Sequence, residues 1–377
     1  MEIASNLSTF ADRIIAVMDA SAAAEGGLGL VADDEFNRLA LNLFRLQAES
    51  NAAYARLLSY RGLTPSSVGD WRDIPCLPTA AFKEWDVTSL AVDERSCVFR
   101  SSGTTQGDRG RHFHHAASLE VYEKSLFDWF VRNMTDRGTR LDELSLVSLT
   151  PAPEAVADSS LVHMFGTVAE RGRWVEVAFL GGFDAAEGWS LEPSISLPAL
   201  DRLVAAGRPM LLVGTAFNFV QLLDAVRDRG TPLVLPAGSR VLETGGYKGR
   251  TREMPKSVLY AEIGQLLGVE DRHIVSEYGM SELSSQAYDG LDRDGDAERR
   301  FRFSPWARVR VISPESGEEV PDGDMGLIQV FDLANVWSVL AVQTEDLGIR
   351  KGDGFSLLGR VSGGESKGCS LHSVESA

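Results

Sequence analysis

The sequence predicts an α/β fold, with sheets covered by helices and a β-rich part near the end of the chain. Three observations predict it. Apolar residues recur at helical spacing near the start, strand-like and helix-like segments alternate through the middle, and the last third turns to short apolar runs joined by Gly- and Asp-containing turns.

Each element follows in order. Over 34–61, Phe36, Leu39, Leu43 and Leu46 fall three and four residues apart, which makes one apolar helix face, and Gly62 is its stop. These side chains read as core. A second helix is expected over 117–132, close behind a Ser- and Gly-rich loop, where its N-terminus would favour an anion. In the middle, 174–180, 209–213 and 231–235 read as strands, and 201–206 and 217–227 as helices between them. Gly181-Gly182, Gly245-Gly246 and Gly249 punctuate this region. Segments 308–312 and 327–331 read as strands, and the charge-rich stretch 289–300 reads as a solvated loop.

Composition narrows the class. With 44% hydrophobic and 24% charged residues in 377, the chain reads as an ordinary soluble globular protein. No apolar run reaches the roughly 18 residues of a membrane span. Residues 1–10 lack a basic segment followed by an apolar one, so no secretory signal is expected. A formal charge of −17 argues against a nucleic-acid partner. Cys76, Cys97 and Cys369 are few, odd in number and far apart, which fits a reducing cytoplasm and gives no zinc-ligand spacing.

The chemistry concentrates in four short segments. Ser101-Ser102-Gly103-Thr104-Thr105, with Gly107, Arg109, Gly110 and Arg111, combines what a polyphosphate needs. Glycine lets backbone approach, hydroxyls and N–H groups donate to anionic oxygens, and guanidinium groups neutralise charge. Further along come Tyr278-Gly279-Met280-Ser281-Glu282, then Thr344-Glu345-Asp346, then Gly359-Arg360. Taken singly, each has a plainer alternative: a solvated turn, an N-capped helix start, a turn residue, a surface ion pair.

In this order the four segments resemble the adenylate-forming superfamily of acyl-CoA ligases, amino-acid-activating domains and luciferases. Ile74-Pro75-Cys76-Leu77-Pro78-Thr79 with Phe82-Lys83 ahead of the first loop, and Gly368-Cys369 after Gly359-Arg360-Val361-Ser362-Gly363, resemble the acyl-protein synthetase branch of bacterial bioluminescence. Compact adenylating enzymes of phenazine-antibiotic pathways are a second relation. The resemblance runs from about residue 70 to 371. It implies a large adenylate-forming catalytic domain over 1–360, with a helical start (1–95), an α/β core (96–300) and a β-rich part (301–360), then a short tail (361–377).

The resemblance also implies roles. ATP with Mg²⁺ would activate a carboxylic acid as an acyl-adenylate, for transfer to a thiol or a reductase partner. Ser101 to Thr105 would hold phosphates, and Arg109 or Arg111 would stand where the superfamily loop usually has a lysine. Tyr278 would stack on adenine, Gly279 and Met280 would border the nucleotide, Ser281 would reach the α-phosphate, and Glu282 would hold Mg²⁺ as a hard oxygen ligand. Asp346 would accept from the ribose hydroxyls, with Arg360 nearby. Gly245-Gly246-Tyr247 would line one adenine face. His163, in His163-Met164-Phe165-Gly166, would border the acid pocket, whose lining is expected from 161–166 and 211–219, with Phe165, Phe217 and Phe219 as flat apolar surface. Cys369, beside Lys367, would accept the acyl group as a thiolate, or be an unreactive tail cysteine. His112, His114 and His115 cluster without a completing carboxylate or cysteine, so a metal site is not expected there. The superfamily usually adds a C-terminal domain bearing a lysine. Only Val361 to Ala377 follow Arg360, so resident cations or a partner are expected to take its place, or adenylation is expected to be slow. A nucleotide-binding subunit without catalysis is the other functional class the sequence allows.

Overall fold

The computed structural model describes residues 6–23, 31–101, 109–135, 139–184, 188–246, 254–290 and 298–360. The chain opens with α1 (Leu7–Ala22), α2 (Asp33–Ser50) and α3 (Ala52–Arg61). The single helix expected over 34–61 is therefore two. Asn51 interrupts it with extended backbone: its Oδ1 accepts from the Tyr54 N–H, while its Nδ2 donates to Ser338 O at 3.1 Å. An asparagine at that position caps a new helix more readily than it continues the old one. Gly62 ends α3 in the left-handed region at φ 64°.

Next come β1 (Leu77–Pro78), α4 (Ala81–Glu84), the hairpin β2 (Cys97–Arg100) and β3 (Arg111–His114), and α5 (Ala116–Met134). The helix expected over 117–132 is α5. However, β3 stands between it and the Ser- and Gly-rich loop, and His115 with Ser118 forms its capping box, so the helix does not open from that loop.

The α/β core follows as β4 (Ser145–Ser148), α6 (Ser160–Arg171), β5 (Val177–Phe179), the hairpin β6 (Gly181–Asp184) and β7 (Gly188–Leu191), α7 (Pro193–Ala205), β8 (Met210–Gly214), α8 (Ala216–Arg229), β9 (Arg240–Glu243), α9 (Lys256–Leu267), β10 (Ile274–Tyr278), β11 (Ala287–Tyr288) and β12 (Arg302–Phe303). Its main sheet has the order β12-β11-β10-β9-β8-β4-β5. The stretch from β5 to β10 is parallel, and β11 and β12 are added antiparallel. Segment 231–235 is not a strand. The Leu233 and Leu235 N–H groups donate to the carbonyls of Leu266 and Leu267, satisfying acceptors that the end of α9 leaves open, while both leucine side chains are buried.

The second sheet holds β13 (Ala307–Ile312), β14 (Met325–Asp332), β15 (Ala341–Lys351) and β16 (Gly354–Arg360). Its order is β1-β15-β14-β13, with β16 pairing a different stretch of β15. Here the first helices meet the last third of the chain. Phe10 of α1, Phe36 and Phe44 of α2, and Tyr54 of α3 share one buried cluster with Trp306, Ile328, Val330 and Phe331. The main sheet has separate cores on its two faces: Val147, Leu212 and Val241 join a cluster with α8 and α9, and Leu146, Val213 and Leu242 join one with α5 and α6. Adjacent strand residues face opposite sides, so near-continuous apolar strands are what a sheet covered on both faces requires. Among the described residues, no helix is long and apolar enough to cross a membrane.

Candidate active site

A cleft of about 570 Å³ opens where strand ends of the main sheet approach the second sheet. Ser101, Arg109, Gly245, Gly246, Gly279, Met280, Ser281, Glu282, Asp346 and Arg360 all line it. Five separate stretches of sequence thus reach one surface. Ser102, Gly103, Thr104, Thr105, Tyr247 and Cys369 lie outside the described residues.

The base of the β2–β3 hairpin is tightly tied. The Gly110 N–H donates to Ser101 Oγ at 2.7 Å, and the Ser101 N–H donates to Gly110 O. Arg109 donates to Ser101 O at 2.7 Å and to the Asp158 carboxylate at 3.0 Å. Its charge therefore faces the cleft while its geometry is held by a partner. Arg111 goes elsewhere: it pairs with Asp86 at 3.2 Å and does not line the cleft. Arg109 precedes β3 and ties to Asp158, whereas Arg111 opens the strand and turns to Asp86, which corrects Arg111 as a catalytic candidate.

The segment after β10 is braced from across the molecule. Asn335 donates to Glu282 O at 2.9 Å, Asp332 accepts from the Ser284 N–H and the Ser285 hydroxyl at 2.8 and 2.7 Å, and His112 Nδ1 meets Ser281 O at 2.7 Å. Burial holds the His112 imidazole down at about 4, so the ring is neutral and its Nδ1–H can donate to that carbonyl. His114 and His115 both contact Ser118. The histidine cluster thus serves loop and helix anchoring.

Glu282 itself is 6% exposed, and burial pushes its carboxyl up to about 7. Arg360, Lys83 and Asp346 are the charges it feels. A Cβ at Gly110 would stand 2.8 Å from Glu282 Oε1 and 3.2 Å from Ser101 Oγ, so only glycine leaves this carboxylate its place. Among the described residues, no group of three or more His, Cys, Asp or Glu is arranged to hold a metal. Glu282, a hard carboxylate in this cleft, nevertheless fits Mg²⁺, which takes one or two carboxylates and completes its octahedron from phosphate oxygens and water.

Asp346 is buried, and both of its oxygens have partners: Tyr278 Oη donates at 2.9 Å and Arg360 Nε at 3.3 Å. Tyr278 does not line the cleft. Its ring lies among Phe301, Phe303 and Phe355, with centroids 6.0, 6.2 and 5.2 Å away. This corrects the adenine-stacking role: the ring packs between the sheets, and its hydroxyl orients Asp346. Gly245 and Gly246 have φ of 64° and 77°, conformations that favour glycine, and their carbonyls accept from the first N–H groups of α8.

His163 lies outside the cleft lining, where its Nε2 meets Glu123 at 3.1 Å, so its catalytic role is corrected as well. Leu161 and Met164 line the cleft from α6, and Thr215 from the start of α8, whereas Phe165, Phe217 and Phe219 are core. Helical spacing at 161 and 164 carried the signal that the aromatic residues obscured. Sequence reasoning also missed Lys83, Arg100, Asp158, Glu277 and Gln286, which line the cleft too. Lys83 was in view only as part of the Phe82-Lys83 resemblance. A shallower depression of about 670 Å³ beside α9, lined by Lys256, Tyr260 and Arg299, holds none of the motif residues.

The geometry agrees with what the chain is similar to. The family model described as acyl-protein synthetase, LuxE, matches residues 189–376. A long-chain-fatty-acid–luciferin-component ligase of Vibrio harveyi is 23% identical over 353 residues, covering 89% of this chain and 86% of that protein. Its counterpart in Aliivibrio fischeri is 22% identical over 325 residues, covering 79% and 77%. A structure of 2-hydroxyisobutyryl-CoA ligase with 2-HIB-AMP superposes with a TM-score of 0.64 at 15% identity, covering 88% of this chain and 69% of that one. An open form of that ligase with 2-HIB-AMP and CoA gives the same score at 16% identity, covering 89% and 77%. The chain thus has the fold of adenylate-forming ligases, and over residues 189–376 it is similar to the acyl-protein synthetase family.

Proposed function

We propose that this protein activates a carboxylic acid with ATP and passes the acyl group to a thiol or to a reductase partner. The observation that carries the reading is the convergence of Ser101, Gly245, Ser281, Glu282, Asp346 and Arg360 on one cleft. A carboxylate oxygen of the acid attacks the α-phosphorus, the bond to the β-phosphate breaks, and pyrophosphate leaves. A thiolate sulfur then attacks the acyl carbon, and AMP departs with the electron pair of the broken C–O bond.

The residues divide this work by chemistry. Asp346, pre-oriented by Tyr278 and Arg360, offers carboxylate oxygens to the ribose hydroxyls. Ser281 and Arg360 face the phosphate region. Lys83 and Arg109 add positive charge against the repulsion between two anions. Glu282 is the residue that would hold Mg²⁺, which supplies charge neutralisation on the phosphate oxygens. Positioning in a preformed cleft supplies the rest. The reading keeps the acid class open between long-chain fatty acids, named in the two relatives, and aromatic acids. The acceptor thiol is Cys369 or belongs to a partner. A cytoplasmic setting suits a chain with few, dispersed cysteines.

Acid-dependent ATP–pyrophosphate exchange tests the reading, with long-chain fatty acids and aromatic carboxylates side by side. Exchange with either class is expected. ATP binding with no exchange on any acid would overturn it in favour of a non-catalytic nucleotide-binding subunit.

A further inference from the structure

The inner wall of the cleft carries two polar side chains that the nucleotide roles leave unused. Glu277 is 9% exposed and Gln286 is 5% exposed, and both line the cleft. Gln286 Oε1 is buried with no hydrogen-bond partner among the described residues. Burial, and then repulsion from Glu243, pushes the Glu277 carboxyl up.

Their placement follows from strand geometry. Tyr278 pairs with Ala287 and Glu277 with Tyr288 across β10 and β11. Alternation sends Tyr278 toward Asp346 and the second sheet. Glu277 turns to the other face, where Val275 and Tyr288 share a cluster with Tyr122 and Met164 under α5 and α6. Gly279 makes the arrangement possible. A Cβ there would collide with Glu277 Oε1 and would stand 3.4 Å from Gln286 Cγ, so the missing side chain leaves room for both residues. The same cleft also has apolar lining in Leu161, Met164, Phe183 and Trp189, the last two cross-strand partners on the β6–β7 hairpin.

Resting on the adenylation reading, we propose that the acid accepted by this protein carries a hydrogen-bond donor, a hydroxyl or an amino group, received by the acceptor oxygens of Glu277 and Gln286. A plain hydrocarbon chain laid against this wall would leave Gln286 Oε1 without a partner, whereas a donor satisfies it. Sites built to bond a substrate hydroxyl discriminate against the analogue lacking it far more strongly than apolar pockets discriminate size.

The test uses the full chain with Mg²⁺ and ATP on matched acids: benzoate against hydroxybenzoates and aminobenzoates, and tetradecanoate against hydroxytetradecanoates. Pyrophosphate exchange and the shift of melting temperature on adding each acid are both read. The expected result is a donor-bearing acid favoured over its plain counterpart by about tenfold or more in kcat/KM, with a matching difference in thermal shift. Glu277→Leu and Gln286→Leu should reduce that ratio toward one. Because the ratio compares two acids on one preparation, partial loss of folded protein cancels. Equal response to plain and donor-bearing acids overturns the proposal, whichever class is used. So does a Glu277→Leu protein that loses ATP affinity but keeps the ratio, since the pair would then serve the adenine amino group. A donor-dependent thermal shift without any exchange would support this inference while overturning adenylation, so the two failures are distinguishable.

Discussion

The hydroxyl of Tyr278 donates to Asp346 Oδ2 at 2.9 Å, joining the end of β10 to β15 and so one sheet to the other. The ring that carries this hydroxyl is clamped by three phenylalanines, and Arg360 holds the other carboxylate oxygen. The carboxylate therefore has one orientation before any ligand arrives. Tyr278→Phe keeps the packing and removes the bond. It should weaken ATP binding about three- to tenfold, the worth of one buried hydrogen bond. Asp346→Ala should weaken it more. Titration calorimetry reads both, and unchanged affinity in both variants would remove this pair from the nucleotide site.

Glu282 is expected to govern the dependence on Mg²⁺. Burial holds its carboxyl up at about 7, so a metal must displace a proton from it at neutral pH and below. Mg²⁺-dependent ATP affinity should rise with pH between about 6 and 8, and Glu282→Gln should flatten that rise and lower pyrophosphate exchange on the order of a hundredfold. A variant with normal exchange and normal Mg²⁺ dependence would exclude Glu282 as the ligand.

Stability without nucleotide should fall as the solution becomes more alkaline. Burial raises Glu277 to about 8, Glu282 to about 7 and Asp332 to about 6. Between the ordinary carboxyl range and pH 8 the folded chain therefore binds more protons than the unfolded one, and the slope of unfolding free energy against pH is negative. The loss should reach on the order of a few kcal/mol between pH 5 and 8. Urea midpoints at the two ends measure it. Glu277→Gln should make the slope shallower, and a rise in stability over this window would contradict the burial of these groups.

The cations should separate by location. Arg109→Ala removes both a cleft charge and the tie to Asp158, and Lys83→Met removes a charge near Glu282. Each should lower ATP affinity or exchange about tenfold or more. Arg111→Ala and His163→Ala remove side chains paired with Asp86 and Glu123 outside the cleft, and should change exchange less than about threefold. A large loss in Arg111→Ala with an inert Arg109→Ala would reverse the assignment.

Much of this was legible in the sequence, because it rests on local chemistry. Helical spacing of Phe36, Leu39 and Leu43, the stop at Gly62, and the apolar runs that became β8, β13 and β14 are each decided by neighbours in the chain. The motif segments carry residue types that polyphosphate chemistry demands, so Ser101, Ser281, Glu282, Asp346 and Arg360 could be picked out before any of them was placed.

Direction and partnership were decided only by the tertiary structure. Whether Arg109 or Arg111 faces the cleft depends on how the β2–β3 hairpin sits against Asp158 and Asp86, far along the chain from each other. Tyr278 and Glu277 are neighbours, yet the pleat sends one to brace Asp346 and the other to the inner wall. Asp332 and Asn335 brace the Glu282 segment across about fifty residues of sequence. A side chain's type is local, but the face it turns to and the charge it meets are set by which strands pair and which helices cover them.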